Sequence, residues 1–305
     1  MLASEAKGRG FDPRLAYHPF LFLISFFWVG LDAADLYLRD ARQLADCFAL
    51  VDFRLDDPLV PPIFNAYMPD GLEELPDADR IALFVRTLLP LVLRENGRIG
   101  EERTRLTALP ADGALSDADD ALFRRTAVKY GALKKDEQDA PIDVQRRAKI
   151  IDELLLKVRP VDPALALGLA ALESGWGTSR FVREANNLFG HTAVHAWKGI
   201  QPLNWSGSER NIKRFETVGD SIARFMLNLN RNRAYLRYRI YRELRPDEPI
   251  VQADGFLNYS RLGVDYTARL KRVMQRFDLL RYSAYRLDGE SRALGVDHLG
   301  TPYLQ

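Results

Sequence analysis

A single cysteine, Cys47, occurs among the 305 residues of this chain. A disulfide framework within the chain is therefore excluded, although an oxidising compartment is not. Histidine is also scarce, with four in the chain. His191 and His195 are four residues apart, but Thr192 stands where a zinc-protease helix requires Glu, so no metal site is expected. There is no glycine-rich phosphate loop, Ser174 lies in no nucleophile elbow, and no cofactor is expected. Charge of one sign is also missing: 43 basic against 42 acidic residues leave a net charge of +1, which argues against a dedicated nucleic-acid binder. One local excess exists, at Arg231, Arg233, Arg237, Arg239, Arg242 and Arg245, interleaved with Tyr235, Tyr238 and Tyr241. It reads as a helix with packed apolar positions and a solvated arginine face rather than an RNA-stacking surface.

Long apolar runs are limited to one. Lys7, Arg9 and Arg14 precede an uncharged stretch from Leu15 to Leu31, closed by Asp32. That length is near the lower limit for a membrane span of about 20 residues. The cationic-then-apolar order predicts a signal anchor or export segment over residues 1–34, with a buried helix as the alternative. Apolar residues make up 47% of the chain, ample for a core. Residues 35–112 read as a helical accessory region, in which Asp77–Leu106 carries Ile81, Phe84, Leu88, Leu89 and Val92 on one face and Pro90 should bend it. Pro110–Leu115 reads as a linker. Ser116 with Asp119 then caps a helix reaching about Leu133, and Asp143 begins another with a stripe of Ile151, Leu154, Leu155 and Val158. Further helices open at Thr217 with Asp220 and near Asp265, the latter burying Leu270, Val273, Met274 and Phe277. Residues 113–285 are the expected catalytic domain, and 286–305 a short tail.

The densest chemistry lies in residues 172–190. Asp162 can cap a helix whose first position suits Pro163, and Ala-Leu-Ala-Leu-Gly-Leu-Ala-Ala-Leu after it is apolar on every face, so the helix must be enclosed by protein. Its end delivers Glu173 to a Gly175-Trp176-Gly177 turn. A carboxyl at the rim of an apolar helix has its ionised form disfavoured, which suits a general acid. Asn186 and Asn187 supply amides of the kind that bind hydroxyl and acetamido groups, and Trp176, Trp197 and Trp205 supply flat faces that stack on pyranose rings. Phe189 is expected to be packed.

The run Glu-Ser-Gly-Trp-Gly-Thr-Ser-Arg-Phe from Glu173, followed by Glu-Ala-Asn-Asn-Leu-Phe-Gly ending at Gly190, resembles the glucosaminidase-domain family, glycoside hydrolase family 73, in its Bax-type branch. The likeness continues through Phe215-Glu216-Thr217, Met226–Asn230, Ala234-Tyr235 and Leu257-Asn258-Tyr259-Ser260-Arg261-Leu262-Gly263, then Tyr266 and Leu270. It covers roughly residues 140–280. The segment from Leu59 to Asn96 also resembles the N-terminal region of Bax-type proteins.

This resemblance implies an α+β fold, predominantly α-helical, with a lysozyme-like helical core and a small β-hairpin lobe. It implies an endo-β-N-acetylglucosaminidase that cleaves the β-1,4 bond after N-acetylglucosamine in peptidoglycan, in the periplasm or cell envelope; the N-terminal segment, read as an anchor, would associate it with the inner membrane. Glu173 falls on the family's catalytic acid and Tyr266 on the tyrosine beside it. Tyr259 joins Trp176, Asn186, Asn187, Trp197 and Trp205 as an expected substrate contact. A second acid is expected in the hairpin, where Glu209 is the one carboxylate between Thr192 and Arg214; otherwise the substrate's 2-acetamido group assists. Two alternatives stay open: a lytic transglycosylase on the same fold, and a non-catalytic peptidoglycan-binding scaffold. Oligomeric state is not legible.

Overall fold

A computed structural model describes residues 35–110, 113–193, 195, 199–201, 211–289, 294–296 and 302–304. The N-terminal run Leu15–Leu31, and with it the expected anchor, lies outside the described residues. Among the described residues no helix is long and apolar enough to cross a membrane.

The centre of the molecule is α5 (Pro163–Ser174), and its local grammar is that anticipated from sequence. The Asp162 side chain accepts a hydrogen bond from Ala164 N at 2.8 Å, and Pro163 occupies the first turn, where its missing N–H costs nothing. Gly175 ends the helix in the left-handed conformation at φ 59°. Ala164 through Ala171 are all buried. A helix without a polar face requires neighbours on every side.

Those neighbours come from both ends of the chain. The long α2 (Asp77–Thr107) packs Phe84, Leu88, Leu89 and Val92 into the same core as Leu165 and Leu169 of α5. Pro90 lies inside it and is itself buried. From the other end, α10 (Val264–Arg276) lies against α5, burying Leu270 and Met274. The two helices pack tightly at Gly168, where an added Cβ would sit 2.9 Å from Met274 Cγ and 3.0 Å from Leu270 Cδ1.

The remaining helices surround this trio. They are α1 (Ala41–Leu50), α3 (Asp117–Tyr130), α4 (Val144–Lys157), α6 (Arg180–Ala185), α7 (Val218–Arg231), α8 (Leu236–Leu244) and the short α9 (Pro249–Gln252). Caps set their starts: Ser116 for α3, Asp143 for α4, and a reciprocal Thr217–Asp220 box for α7. Strands are two or three residues long. β1 (Asp35–Leu36) pairs parallel with β3 (Phe64–Asn65), and β2 (Leu59–Val60) pairs parallel with β6 (Arg286–Leu287). β4 (Gly199–Ile200) and β5 (Ile212–Lys213) form an antiparallel pair beside α6, with Ala185, Ile200 and Ile212 as a small separate core. β7 (Leu294–Val296) and β8 (Pro302–Leu304) pair antiparallel. The fold is predominantly helical α+β, as expected. Residues 33–305 form one compact unit.

The solvated arginine face expected around α8 holds for Arg231, Arg233, Arg237 and Arg245, which are exposed, and is corrected for two members. Arg239 and Arg242 are 3% and 5% exposed. Arg242 donates to Arg159 O at 3.0 Å, Pro160 O at 3.2 Å and Asn230 Oδ1 at 2.8 Å, while Arg239 donates to Leu229 O and Asn232 O, both at 2.8 Å. Both guanidiniums satisfy carbonyls left free at the C-terminal ends of α4 and α7. Burial lowers the Arg239 pKa to about 10.

Candidate active site

Glu173 is the penultimate residue of α5, two residues before the left-handed Gly175 that ends the helix. Its residue remains exposed to solvent, although the protein packed on its inner side removes water from the carboxyl. That desolvation raises the Glu173 pKa, opposed by the hydrogen bond from Tyr266. Position adds to the effect, since the negative end of the α5 dipole also disfavours a carboxylate. The outcome is an acid open to a ligand yet biased toward its protonated form.

Tyr266 arrives from the first turn of α10. Its hydroxyl donates to Glu173 Oε1 at 2.7 Å, leaving Oε2 unengaged by that bond. Packing of α10 on α5 at Gly168 holds the two elements together, and Tyr266 is 5% exposed. The phenol pKa is pushed far up, first by desolvation and then by the neighbouring Tyr259 and Glu173, so it acts as a fixed proton donor to the carboxylate.

Two more tyrosines complete the surroundings. Tyr259 stacks on Tyr266 with ring centres 5.1 Å apart and planes 16° apart, and its hydroxyl lies 3.5 Å from Phe189 O. Tyr235 leans on Tyr259 at 6.2 Å, and its hydroxyl is hydrogen-bonded by Asn228. Burial and the charge of Glu173 raise the pKa of both phenols. Sequence reasoning named Tyr259 and Tyr266 but left Tyr235 among the arginines of the next helix. Its signal was the Ala234-Tyr235 pair directly after α7.

The other expected contacts fare differently. Trp176, in the left-handed conformation at φ 58°, sets its ring edge-on to Phe84 at 5.3 Å and Phe277 at 4.7 Å. It is half-buried and packs between α2 and the end of α10. Asn186 caps α6 and donates to Phe215 O and Glu216 O at 3.1 and 2.8 Å. Asn187 donates to His191 O and Lys213 O, at 2.9 and 2.8 Å, and accepts from His191 N at 3.0 Å. Both amides hold the backbone around the β4–β5 pair, and their N–H groups are not available to acetamido or hydroxyl groups. Trp197, Trp205 and Glu209 lie outside the described residues. Phe189 is buried and stacked on Phe225 at 3.8 Å, as expected. His191 is pressed between Phe189 and Phe215, and desolvation, with Arg224 and Lys213 nearby, lowers its pKa to about 4. Among the described residues no group of three or more His, Cys, Asp or Glu could hold a metal ion.

Residues 150–279 match the family model described as mannosyl-glycoprotein endo-beta-N-acetylglucosaminidase, under the family name Glucosaminidase. Over these residues the chain is similar to that family. Within the matched residues lie Glu173, Tyr235, Tyr259 and Tyr266, whereas α2 lies before them. The chain is also similar to "Protein bax" of Escherichia coli (strain K12), with 29% identity over 216 residues, covering 69% of this chain and 74% of the relative. No solved structure matches. Hydrolysis of a glycosidic bond, the reaction named in the matched family's description, needs one proton donor at the bridging oxygen.

Proposed function

We propose that this chain is a peptidoglycan hydrolase of the cell envelope, an endo-β-N-acetylglucosaminidase that cleaves the β-1,4 bond after N-acetylglucosamine. The observation that carries the reading is the Glu173–Tyr266 pair, an exposed carboxyl of raised pKa held by a buried phenol, inside the matched domain. Glu173 is the general acid. Its proton passes to the glycosidic oxygen as the bond to the sugar carbon lengthens, and the carboxylate left behind gains strength from the Tyr266 hydrogen bond. The tyrosine thereby favours the product state of proton transfer without itself ionising.

The positive charge that develops at the sugar carbon needs a partner. Glu209 fills that role in one version, acting on water or on the carbon, and the substrate's acetamido oxygen fills it in the other. Trp197 and Trp205 are proposed as sugar platforms on the sequence argument alone. Delivery to the envelope rests on the cationic-then-apolar residues 7–31 read as an export or anchor segment.

The test compares wild type with Glu173→Gln on purified peptidoglycan. The amide keeps the shape and lacks the proton, so release of reducing ends should fall about 10²- to 10⁴-fold. Reducing-end N-acetylglucosamine in the wild-type digest supports hydrolysis after that sugar. 1,6-Anhydromuramic ends would assign a transglycosylase instead, and equal activity in both proteins removes Glu173 from the chemistry.

A further inference from the structure

The exposed face of α10 is more basic than its neighbourhood can neutralise. Arg269, Arg272 and Arg276 follow one another at i, i+3 and i+7, all exposed, and line a groove of about 590 Å³ with Leu172, Val273 and Phe277 as its apolar floor. Among the described residues none of the three is in an ion pair: Arg272 Nε reaches Ala268 O at 3.4 Å, and Arg276 lies 5.5 Å over the Phe277 ring. Of the acidic side chains nearby, Asp278 engages Arg281 at 3.4 Å and Asp254 engages Lys271 at 2.7 Å, and the exposed Asp265, one turn before Arg269, forms no ion pair with it. Three unpaired guanidiniums over an apolar floor fit a ligand that carries several carboxylates along a short chain.

The groove begins beside the candidate active site. Leu172 precedes Glu173, and Arg269 is one turn beyond Tyr266 on the same helix. From Tyr266 to Arg276 the helix advances about 15 Å, and an extended peptide of about four residues covers nearly the same distance. The peptide stems that branch from the muramic sugars of peptidoglycan have this length and bear free carboxylates. The geometry points to the α10 groove as a subsite for the anionic peptide stem of the strand whose glycan lies across Glu173. This inference rests on the proposed peptidoglycan substrate and extends it from glycan to stem. Carboxylates pair with Arg269, Arg272 and Arg276, while the aliphatic parts of the stem lie on Val273 and Phe277.

The experiment uses the full chain, in wild-type form and as the Arg269→Gln/Arg272→Gln/Arg276→Gln variant. Both are titrated with soluble glycan strands bearing native stems and with the same strands after chemical amidation of the stem carboxyls. Affinity and cleavage are read separately. Expected is a preference of wild type for native stems of about tenfold in Kd, lost in the variant and weakened by salt, because each exposed pair contributes modestly. Binding of amidated strands should be the same in both proteins. Equal affinity of wild type for native and amidated stems would overturn the subsite, as would a variant that retains the preference. So would arginine-dependent binding to vesicles containing an anionic phospholipid with no discrimination between strands. Absence of cleavage with the affinity difference intact would overturn the hydrolase reading and leave the stem subsite standing.

Discussion

Tyr266 and Glu173 allow the sign of a pH effect to be worked out from one hydrogen bond. The bond from Tyr266 stabilises the ionised carboxyl and so lowers a pKa that burial raises. In Tyr266→Phe that opposition is gone, the Glu173 pKa rises further, and the alkaline limb of the kcat/KM profile should move to higher pH. Turnover should nevertheless fall about tenfold, since the carboxylate formed in the reaction loses a bond of about 1–1.5 kcal/mol, while folding stability changes by about 1 kcal/mol or less. An unmoved limb would remove the tyrosine from this role. Asn187 gives the opposite split. Its amide makes three backbone bonds and is 2% exposed, so Asn187→Ala should cost about 2–3 kcal/mol in denaturant unfolding, whereas a sugar contact would alter KM alone. His191 contributes a pH dependence of stability. Its folded pKa of about 4 lies below the unfolded value of 6.5, so the unfolded chain binds the proton first and stability is lost as pH falls from about 6.5 to 4. His191→Gln should flatten that part of a Tm-against-pH curve, and an unchanged curve would place the charge elsewhere.

Helix caps are the part of this fold that sequence discloses best, because the rule acts within four residues. Asp162-Pro163, Ser116 with Asp119, Asp143, and Thr217 with Asp220 all begin helices where their chemistry requires. Apolar stripes were legible for the same reason, as were the exposed Glu at the end of α5 and the tyrosine that α10 brings to it. What was not legible depends on partners far along the chain. Arg242 on α8 meets carbonyls more than 80 residues away, and Asn186 meets Glu216 O, so neither residue's type distinguishes a solvated or ligand-facing group from one bonded to backbone. The contacts of Trp176 with Phe84 and Phe277 are of the same kind, since both partners are about 90 or more residues away in the chain. The α5–α10 contact adds a prediction at this scale. A side chain at Gly168 meets Met274 and Leu270 at about 3 Å, so Gly168→Val should press the helices apart. The expected results are a loss of about 1–3 kcal/mol in stability and a fall in kcat larger than that of a surface substitution on α10, because the shift reaches the Tyr266 hydroxyl. Retention of full kcat would show that the pair tolerates helix displacement.

At the scale of the whole molecule, the matched domain and the folding unit differ in extent. Residues 150–279 hold the candidate acid and its tyrosines, but the helix that presents the acid is covered from outside that range. Phe84, Leu88, Leu89 and Val92 of α2 are each 2% exposed or less and share one core with α5, and Trp176 rests on Phe84. Val218 N bonds to Ala66 O at 2.8 Å, and β2 pairs with β6, so residues 59–66 are tied to segments on the far side of α5 in the sequence. Removing the cover exposes several large apolar side chains at about 1.5–3 kcal/mol apiece, a sum comparable with the 5–15 kcal/mol that stabilises a typical domain. A fragment of residues 150–279 is therefore expected to lack fixed tertiary structure, and residues 33–289 to fold. Near-ultraviolet circular dichroism and limited proteolysis compare the two directly. Sharp aromatic signals and protease resistance in the shorter fragment would show that α5 finds sufficient partners within the domain, and the N-terminal helices would then be an addition to the catalytic fold rather than one of its walls.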